Sequence, residues 1–210
     1  MATVADFRNW VEVSVEGAPR ALVNEAILRA VDQFFRYTGL WSVEHAGIQL
    51  VNNTAAYNLT APTGATLIRV EAARYQTQPL APSDPAWGKT YTGGFAPYAF
   101  WIDPPLAFTV SPTPSGTFTT DDKFYMRGIW TISSAATDAT VFPDVALDYG
   151  DEISDGAIAQ LLRIPGKSWT DPMEAKARDK AFMEGCAAGR IRAATGGTNN
   201  ILPPDIPQTA

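Results

Sequence analysis

Four carboxylates near residue 150 are, by type and spacing, the side chains best suited to chemistry: Asp148, Asp151, Glu152 and Asp155. Residues three or four apart share one face of a helix, so the cluster could bind a divalent cation or supply the acid pair of a glycosidase. However, one helix cannot place two carboxylates on opposite sides of a scissile bond, and the helix dipole favours acidic side chains in a first turn. We therefore interpret the cluster as a solvated acidic face, and we predict no metal site, no cofactor and no enzymatic activity.

Histidine and cysteine, two residue types often used in general-base and nucleophilic catalysis, occur once each. His45 lies in a loop-like stretch with only Glu44 beside it, so no Ser-His-Asp or Cys-His arrangement has a base with a partner. We interpret His45 as a solvated loop histidine. Cys186 lies among small residues of a predicted helix, where a buried thiol usually serves as a small apolar side chain.

Composition limits the kind of protein that positions these side chains. The chain has 210 residues, a size that one domain can fill, and its net charge of −6 provides no basic footprint for nucleic acid. The first residues lack the positive charge and the apolar segment of a signal peptide, and no apolar run is long enough to cross a bilayer. We therefore expect a soluble protein that is made in a cytoplasm.

A helix is predicted at about residues 20–37 from a single apolar stripe. The apolar residues recur at helical spacing: Val23, Ala26, Ile27, Ala30, Val31, Phe34 and Phe35. Pro19 suits the start of this helix, and Gly39 suits a left-handed residue after its end.

The middle of the chain, about 48–142, changes from helical to alternating periodicity. Short β-branched and aromatic runs are separated by turns rich in proline and glycine, which predicts an antiparallel β unit of five to seven strands. Residues 76–97 are rich in Pro, Gly, Thr and Ser, and we expect them to form a long surface loop that contacts a neighbour.

The last third predicts a helical hairpin, with helices at about 144–164 and 172–192. Small residues allow close packing, a Pro-Gly pair ends the first helix, and Asp171 with the following proline begins the second. We expect the tryptophan of the turn to be largely buried between the two helices. The residues to which we assign hairpin packing are Gly156, Ala157, Pro165, Gly166, Trp169 and Pro172.

Together these elements predict an α+β fold. We expect an α-helical bundle of N- and C-terminal helices in one domain, 1–193, with the antiparallel β unit inserted between them and an extended C-terminal arm at 194–210. The arm is too poor in apolar residues to fold alone, but it carries apolar residues spaced among prolines, as an arm that docks on a partner would. These candidate anchors are Ile201, Leu202, Pro203, Pro204 and Ile206.

Several segments resemble the head-to-tail adaptor proteins of tailed bacteriophages, also called head completion or connector proteins. They are residues 7–11, 17–23 and 34–41, then Tyr57-Asn58-Leu59 and Val70, and finally 156–172 with Ala175, Phe182 and Gly185. These segments are spread over about residues 1–192.

The resemblance implies a structural role without catalytic residues. Such adaptors form a ring, commonly a dodecamer, beneath the portal protein at the head–tail junction of the virion. The partners implied are further copies of the chain, the portal protein and tail or nozzle proteins. The arm lies outside the resemblance, and we expect from its residues that it docks on the portal protein. The ring would extend a channel through which DNA passes without sequence-specific binding, and no membrane is involved.

Two other readings of the residues stay open. The aromatic residues and the β unit also fit a carbohydrate- or receptor-binding β module of a phage particle, and the helix carboxylates fit a small hydrolase. The size of the protein in solution distinguishes the first of these from an adaptor. A ring-forming adaptor should self-associate, whereas a binding module should remain a small species.

Overall fold

The computed structural model describes residues 1–82, 97, 99–103 and 107–196. The α+β class predicted from the sequence is confirmed, with helices at both ends of the chain and β-strands between them. The chain divides into two compact units, one formed by Met1–Leu40 with Ala136–Ala210 and the other by Trp41–Ala135. The single domain over residues 1–193 stays a prediction.

The first unit is helical. Its elements are α1 Val4–Ser14, α2 Arg20–Thr38, a 3₁₀ helix Asp144–Tyr149, α3 Gly150–Leu162 and α4 Pro172–Ala194. Helix α3 packs against each of the other three helices, and most of its residues are buried, while its first turns carry the carboxylates of Asp151, Glu152 and Asp155. The helix predicted at 144–164 therefore consists of a 3₁₀ segment followed by α3.

Helix α2 buries all seven residues of its predicted stripe, together with Thr38. Gly39 follows in the left-handed conformation, with φ of 70°, and its N–H donates to the carbonyl of Phe35. Helix α1 was not predicted from the sequence. Asp6 holds its start by accepting hydrogen bonds from the Thr3 N–H at 2.7 Å and the Thr3 hydroxyl at 2.9 Å.

Glycines bring α4 close to its neighbours. A Cβ atom at Gly156 of α3 would lie 2.7 Å from the ring of Phe182, and one at Gly189 would lie 2.7 Å from the Thr38 side chain of α2. A Cβ at Gly185 would collide with the side chain of Glu152. Any larger residue at these positions would have to push the helices apart.

The corner between α3 and α4 is closed by two side chains. The Thr170 hydroxyl donates to the carbonyl of Ile164 at 2.5 Å and accepts from the N–H of Lys167 at 3.1 Å. Asp171 caps α4 by accepting from the N–H groups of its first turn at 2.9 and 3.0 Å. Gly166 takes a left-handed conformation with φ of 72°, a conformation in which other residues are strained.

The residues assigned to hairpin packing differ in how deeply they are buried. Gly156 and Ala157 are buried, whereas Pro165 and Gly166 are exposed at the corner. Pro172 is the exposed first residue of α4. Trp169 is half-buried rather than enclosed between the helices, so its removal should cost less than that of a fully buried tryptophan.

The second unit contains two β-sheets. The strands are β1 Ser42–Glu44, β2 Ile48–Gln49, β3 Ala56–Asn58, β4 Ala65–Tyr75, β5 Gln78–Pro79, β6 Ala81–Pro82, β7 Ala99–Asp103, β8 Ala107–Ser111 and β9 Lys123–Ile132. One sheet has the order β1-β9-β4-β5, with β2 also paired to β9, and the other has the order β3-β8-β7-β6.

The prediction of five to seven antiparallel strands was wrong in two respects. Nine strands occur among the described residues, and β6 pairs with β7 in parallel. Strands of two or three residues carry too short a pattern to be recognised. Two of them, β5 and β6, lie within the predicted loop 76–97, and residues 83–96 of that loop lie outside the described residues.

Aromatic side chains join the two sheets in the core of the second unit. The ring of Phe108 on β8 stacks on that of Phe124 on β9, with centroids 4.3 Å apart, and Tyr57 of β3 stacks at 5.3 Å on Phe108. Phe108 and Phe124 are fully buried. Offset stacking of buried rings adds stability beyond the burial of area.

His45 lies in this second unit and is not the solvated loop residue that we expected. The backbone N–H of His45 continues the β-ladder by donating to the carbonyl of Met126. The centre of the imidazole ring lies 5.4 Å from the centre of the Trp130 ring. The Nε2 atom is buried without a hydrogen-bond partner among the described residues. Burial lowers the pKa of His45 because it disfavours the charged imidazolium.

The first prediction concerns the close contact of α3 and α4. Gly156→Ala should lower the free energy of unfolding by about 1–3 kcal/mol relative to Gly150→Ala, because the new methyl group has to displace the buried ring of Phe182. Gly150 is the matched control, since a Cβ there lies 3.9 Å from Phe7, an ordinary contact. Urea unfolding measures both variants, and equal stabilities would contradict the close packing.

The second prediction concerns pH. In the unfolded chain His45 takes up a proton near pH 6.5, whereas in the folded chain its lowered pKa delays protonation. The unfolded state therefore binds more protons as the pH falls through this range, and the folded state loses stability. Between pH 7.5 and 5.5 the wild-type chain should lose more stability than His45→Gln, as measured by urea unfolding. If the free energy of unfolding of the two proteins changes equally with pH, His45 is solvated.

Candidate functional site

Two of the four carboxylates singled out from the sequence bind arginines of α4. Asp148 lies 2.7 Å from Arg192, and Asp155 lies 2.6 Å from Arg178. The hydrogen bonds with these carboxylates raise the pKa of each arginine. Interpreting the whole cluster as a solvated acidic face was therefore wrong for Asp148 and Asp155, because α4 presents arginines at the matching positions.

The described acidic residues do not form a metal centre. No group of three or more His, Cys, Asp or Glu side chains among the described residues is placed to hold a metal ion. Asp155 was a candidate for the acid pair of a glycosidase. Its carboxylate accepts a hydrogen bond from Arg178 within an ion pair, so it is not free to act as a general acid. The arrangement links helices and does not pair a general acid with a nucleophile.

Cys186 is buried on the inner side of α4, as expected for a small apolar side chain. Burial raises the pKa of its thiol to about 12, and the charge of Glu152 acts in the same direction. Because the thiolate is the reactive form, Cys186 is a poor nucleophile at neutral pH.

A separate network of ionised groups lies on the larger sheet of the second unit. Glu44 lies 2.9 Å from Arg74 and 3.8 Å from Arg127, and the guanidinium of Arg74 lies 4.0 Å from the centre of the Tyr125 ring. The hydrogen bond from Arg74 is the main cause of the lowered pKa of Glu44. These groups satisfy one another across β1, β4 and β9, as in a structural ion-pair network.

One concave surface of the helical unit is a cleft of about 420 Å³ between α1, the 3₁₀ helix and the first turns of α3. Trp10 and Leu147 line it, with 58% and 48% of their surface exposed. Among the described residues that line the cleft there is no lysine or arginine, but there are four carboxylates, those of Asp6, Asp148, Asp151 and Glu152. We call this surface the acidic cleft.

One polar group of the acidic cleft lacks a partner. Ser154 lines the cleft and is 3% exposed, yet its hydroxyl oxygen has no hydrogen bond to a described residue. A buried hydroxyl without a partner costs free energy, so such groups usually mark a place where another molecule completes the hydrogen bonds. The cleft was not predicted from the sequence because α1, which forms one of its sides, was not predicted. The signal for α1 was present, since Thr3 and Asp6 have the spacing of a capping box.

The outward side of α4 is the second candidate surface. It exposes large apolar side chains, among them Met173 at 81% and Ile191 at 62%. Its inner side buries Ala175, Phe182, Gly185, Cys186 and Gly189. The described part of the chain covers the inner side of α4, which leaves the exposed apolar side chains of the outward side available to a partner.

The candidate arm anchors Ile201, Leu202, Pro203, Pro204 and Ile206 lie outside the described residues. Helix α4 ends at Ala194, and only the first residues of the predicted arm, as far as Gly196, are described. Among the described helices, none combines the length and the apolar character needed to cross a membrane.

Comparison with protein families gives a match over nearly the whole chain. No curated protein has significant sequence similarity to the chain. A family model described as SU10 adaptor protein matches residues 3–200, which is nearly the whole chain. That family consists of structural adaptor proteins of bacteriophages. The chain belongs to the SU10 adaptor protein family.

Proposed function

We propose that the chain forms a homo-oligomeric ring at the head–tail junction of a phage particle, between the portal protein and the tail, and that the ring extends the DNA channel. The observation that carries this proposal is the family match over residues 3–200, which includes both the helical unit and the β unit. Family membership makes the chain a structural component of the virion that interacts with other head and tail components. The ring and its position between portal and tail are the proposed part.

The distribution of exposed apolar surface supports a ring. A cyclic assembly needs two different surfaces on each subunit, because each copy contacts one neighbour with one face and the other neighbour with the opposite face. The helical unit has two such surfaces, the acidic cleft and the outward side of α4. Large exposed side chains clustered in this way are typical of interaction sites.

The net charge is compatible with a channel for DNA. The chain carries 22 acidic against 16 basic side chains. Binding of a protein to duplex DNA rests largely on lysines and arginines that neutralise phosphates. A ring wall without an excess of such residues lets DNA slide, so DNA would pass through without sequence-specific binding.

The alternative of a carbohydrate- or receptor-binding β module gains no support from the described aromatic residues. Sugar-binding modules stack exposed tryptophans against the ligand. In the β unit, Trp41, Trp101 and Trp130 are buried, as core residues are.

The third prediction is that each particle contains many copies of the chain, arranged as a ring that is commonly dodecameric in such adaptors. Quantitative gel analysis of purified particles, with the portal protein as the internal standard, measures the copy number. Imaging of the head–tail junction then gives the ring order. A single copy in each particle would rule out the ring.

We also propose that the arm, residues 194–210, binds the portal protein. Its prolines keep the chain extended and so lower the entropic cost of docking into a groove. Ile201, Leu202 and Ile206 supply the apolar contacts, and the arm starts at the end of α4, which leaves it free to reach a neighbouring ring.

The fourth prediction tests this arm. Deletion of residues 198–210 should leave the melting temperature of the folded chain unchanged while abolishing attachment to portal-containing heads, as measured by co-sedimentation. Deletion of residues 208–210 is the matched control, because it shortens the arm but keeps all five candidate anchors. If the longer deletion still joins heads normally, the portal contact lies on the folded part of the chain.

A further inference from the structure

The outward side of α4 carries basic and apolar side chains in one stripe. We define the α4 stripe as Met173, Lys176, Lys180, Met183, Arg190 and Ile191, which are all exposed. Successive residues of a helix are rotated by about 100°, so the first four of these residues, at spacings of three and four, lie along one side, and Arg190 and Ile191 lie at its two edges. That side is opposite to Gly185 and Gly189, which face α3 and α2.

The charges of the α4 stripe are largely available to a partner. Lys176 and Arg190 form no ion pair with a described residue, whereas Arg178 and Arg192 on the inner side are paired with carboxylates. Lys180 lies 3.6 Å from Glu184, with both side chains well exposed, and such a pair contributes little. The stripe therefore combines apolar contact area with positive charge.

The acidic cleft has the complementary chemistry. Its exposed Trp10 and Leu147 offer apolar contacts. Asp148 is paired with Arg192 of its own copy, but Asp6, Asp151 and Glu152 form no ion pair with a described residue and attract ammonium and guanidinium groups. The exposed face of a tryptophan also attracts cations. The unpartnered hydroxyl of Ser154 adds a buried hydrogen-bonding group to the same surface.

We infer that the acidic cleft of one copy receives side chains of the α4 stripe of the next copy, so that Trp10, Leu147 and the cleft carboxylates contact the methionines and lysines of the neighbour. This inference rests on the proposed ring and names its subunit contact. The cleft volume of about 420 Å³ equals roughly one turn of a helix with its side chains. The cleft therefore holds part of the stripe and not the whole helix.

Charge also determines which surfaces of two copies pair. Two α4 stripes facing each other would bring Lys176, Lys180 and Arg190 of both copies together, and two acidic clefts would likewise repel each other. Like charges in a contact cost free energy, so symmetric two-fold pairing through either surface is disfavoured. Stripe-to-cleft pairing remains, and because it joins two different surfaces it forms a ring where the rotation between copies closes and an open filament where it does not.

Chemical crosslinking of cysteine variants tests the contact. Leu147→Cys places a thiol in the acidic cleft, and Met183→Cys places one in the α4 stripe. A short bis-maleimide is added to concentrated protein, so that even weak association is trapped. The native Cys186 is buried, and the wild-type chain is the control for its reactivity. We expect the mixture of the two variants to give about tenfold more covalent dimer than either variant alone, because only the mixture joins cleft to stripe.

Reversal of charge gives a matched control. Lys176→Glu with Lys180→Glu, added to the Met183→Cys variant, should lower the crosslinking yield about tenfold. Asp151→Lys in the Leu147→Cys partner should restore much of this yield. Arg20→Glu with Lys167→Glu changes the net charge by the same amount at exposed positions outside the stripe, and it should leave the yield unchanged.

The outcomes separate this inference from the proposed function. If the mixture crosslinks no better than each variant alone, or if charge reversal at the stripe and at the control positions has equal effects, the inference is overturned. Many copies in each particle would then still support the ring, which would use other surfaces. Specific crosslinking together with a single copy in each particle would instead retain the contact and overturn the ring.

Discussion

The helical unit depends on the close approach of α4 to α2 and α3. Gly156, Gly185 and Gly189 provide the space for this approach, and a methyl group at any of these positions would overlap a neighbouring side chain. At this separation Asp155 reaches Arg178 and Asp148 reaches Arg192. The ion pairs are therefore a consequence of the glycine contacts, and they fix the rotation of α4 about its own axis. That rotation directs the buried side of the helix inward and its basic, apolar side outward.

The sequence predicted the parts of the fold that depend on regular periodicity. The apolar stripe of α2 and the Pro165-Gly166 interruption are local signals, and the structure has a helix and a helix end at those places. The pairing of strands depends on distant partners, so neither the parallel contact of β6 with β7 nor the shortest strands could be recognised. Helix α1 was missed although its buried residues Val4, Phe7 and Val11 follow helical spacing, because the run is short and its capping signal at Thr3 and Asp6 was not used.

The candidate surfaces were predicted less well than the fold, for a physical reason. A sequence shows that Asp148 and Asp155 share a helix face, but it does not show that arginines 23 or 44 residues away meet them. The acidic cleft consists of residues from both ends of the chain, Trp10 and Leu147 among them, and their proximity arises only when α1 packs on α3. The exposure of Met173 and Ile191 likewise depends on which side of α4 is buried. Candidate arm anchors such as Ile201 and Leu202 rest on the sequence alone.

The interruption of the helical unit by the β unit bears on the order in which the chain folds during synthesis. Residues 41–135 are contiguous and emerge from the ribosome with both of their sheets complete. Helices α1 and α2 emerge first, but α3 and α4, against which they pack, follow more than a hundred residues later. The apolar side of α2 therefore stays uncovered while the β unit forms, an interval in which nascent chains are prone to aggregation and bind chaperones. Completion of α4 ends this interval, so the subunit becomes competent for assembly only after α4 has been synthesised.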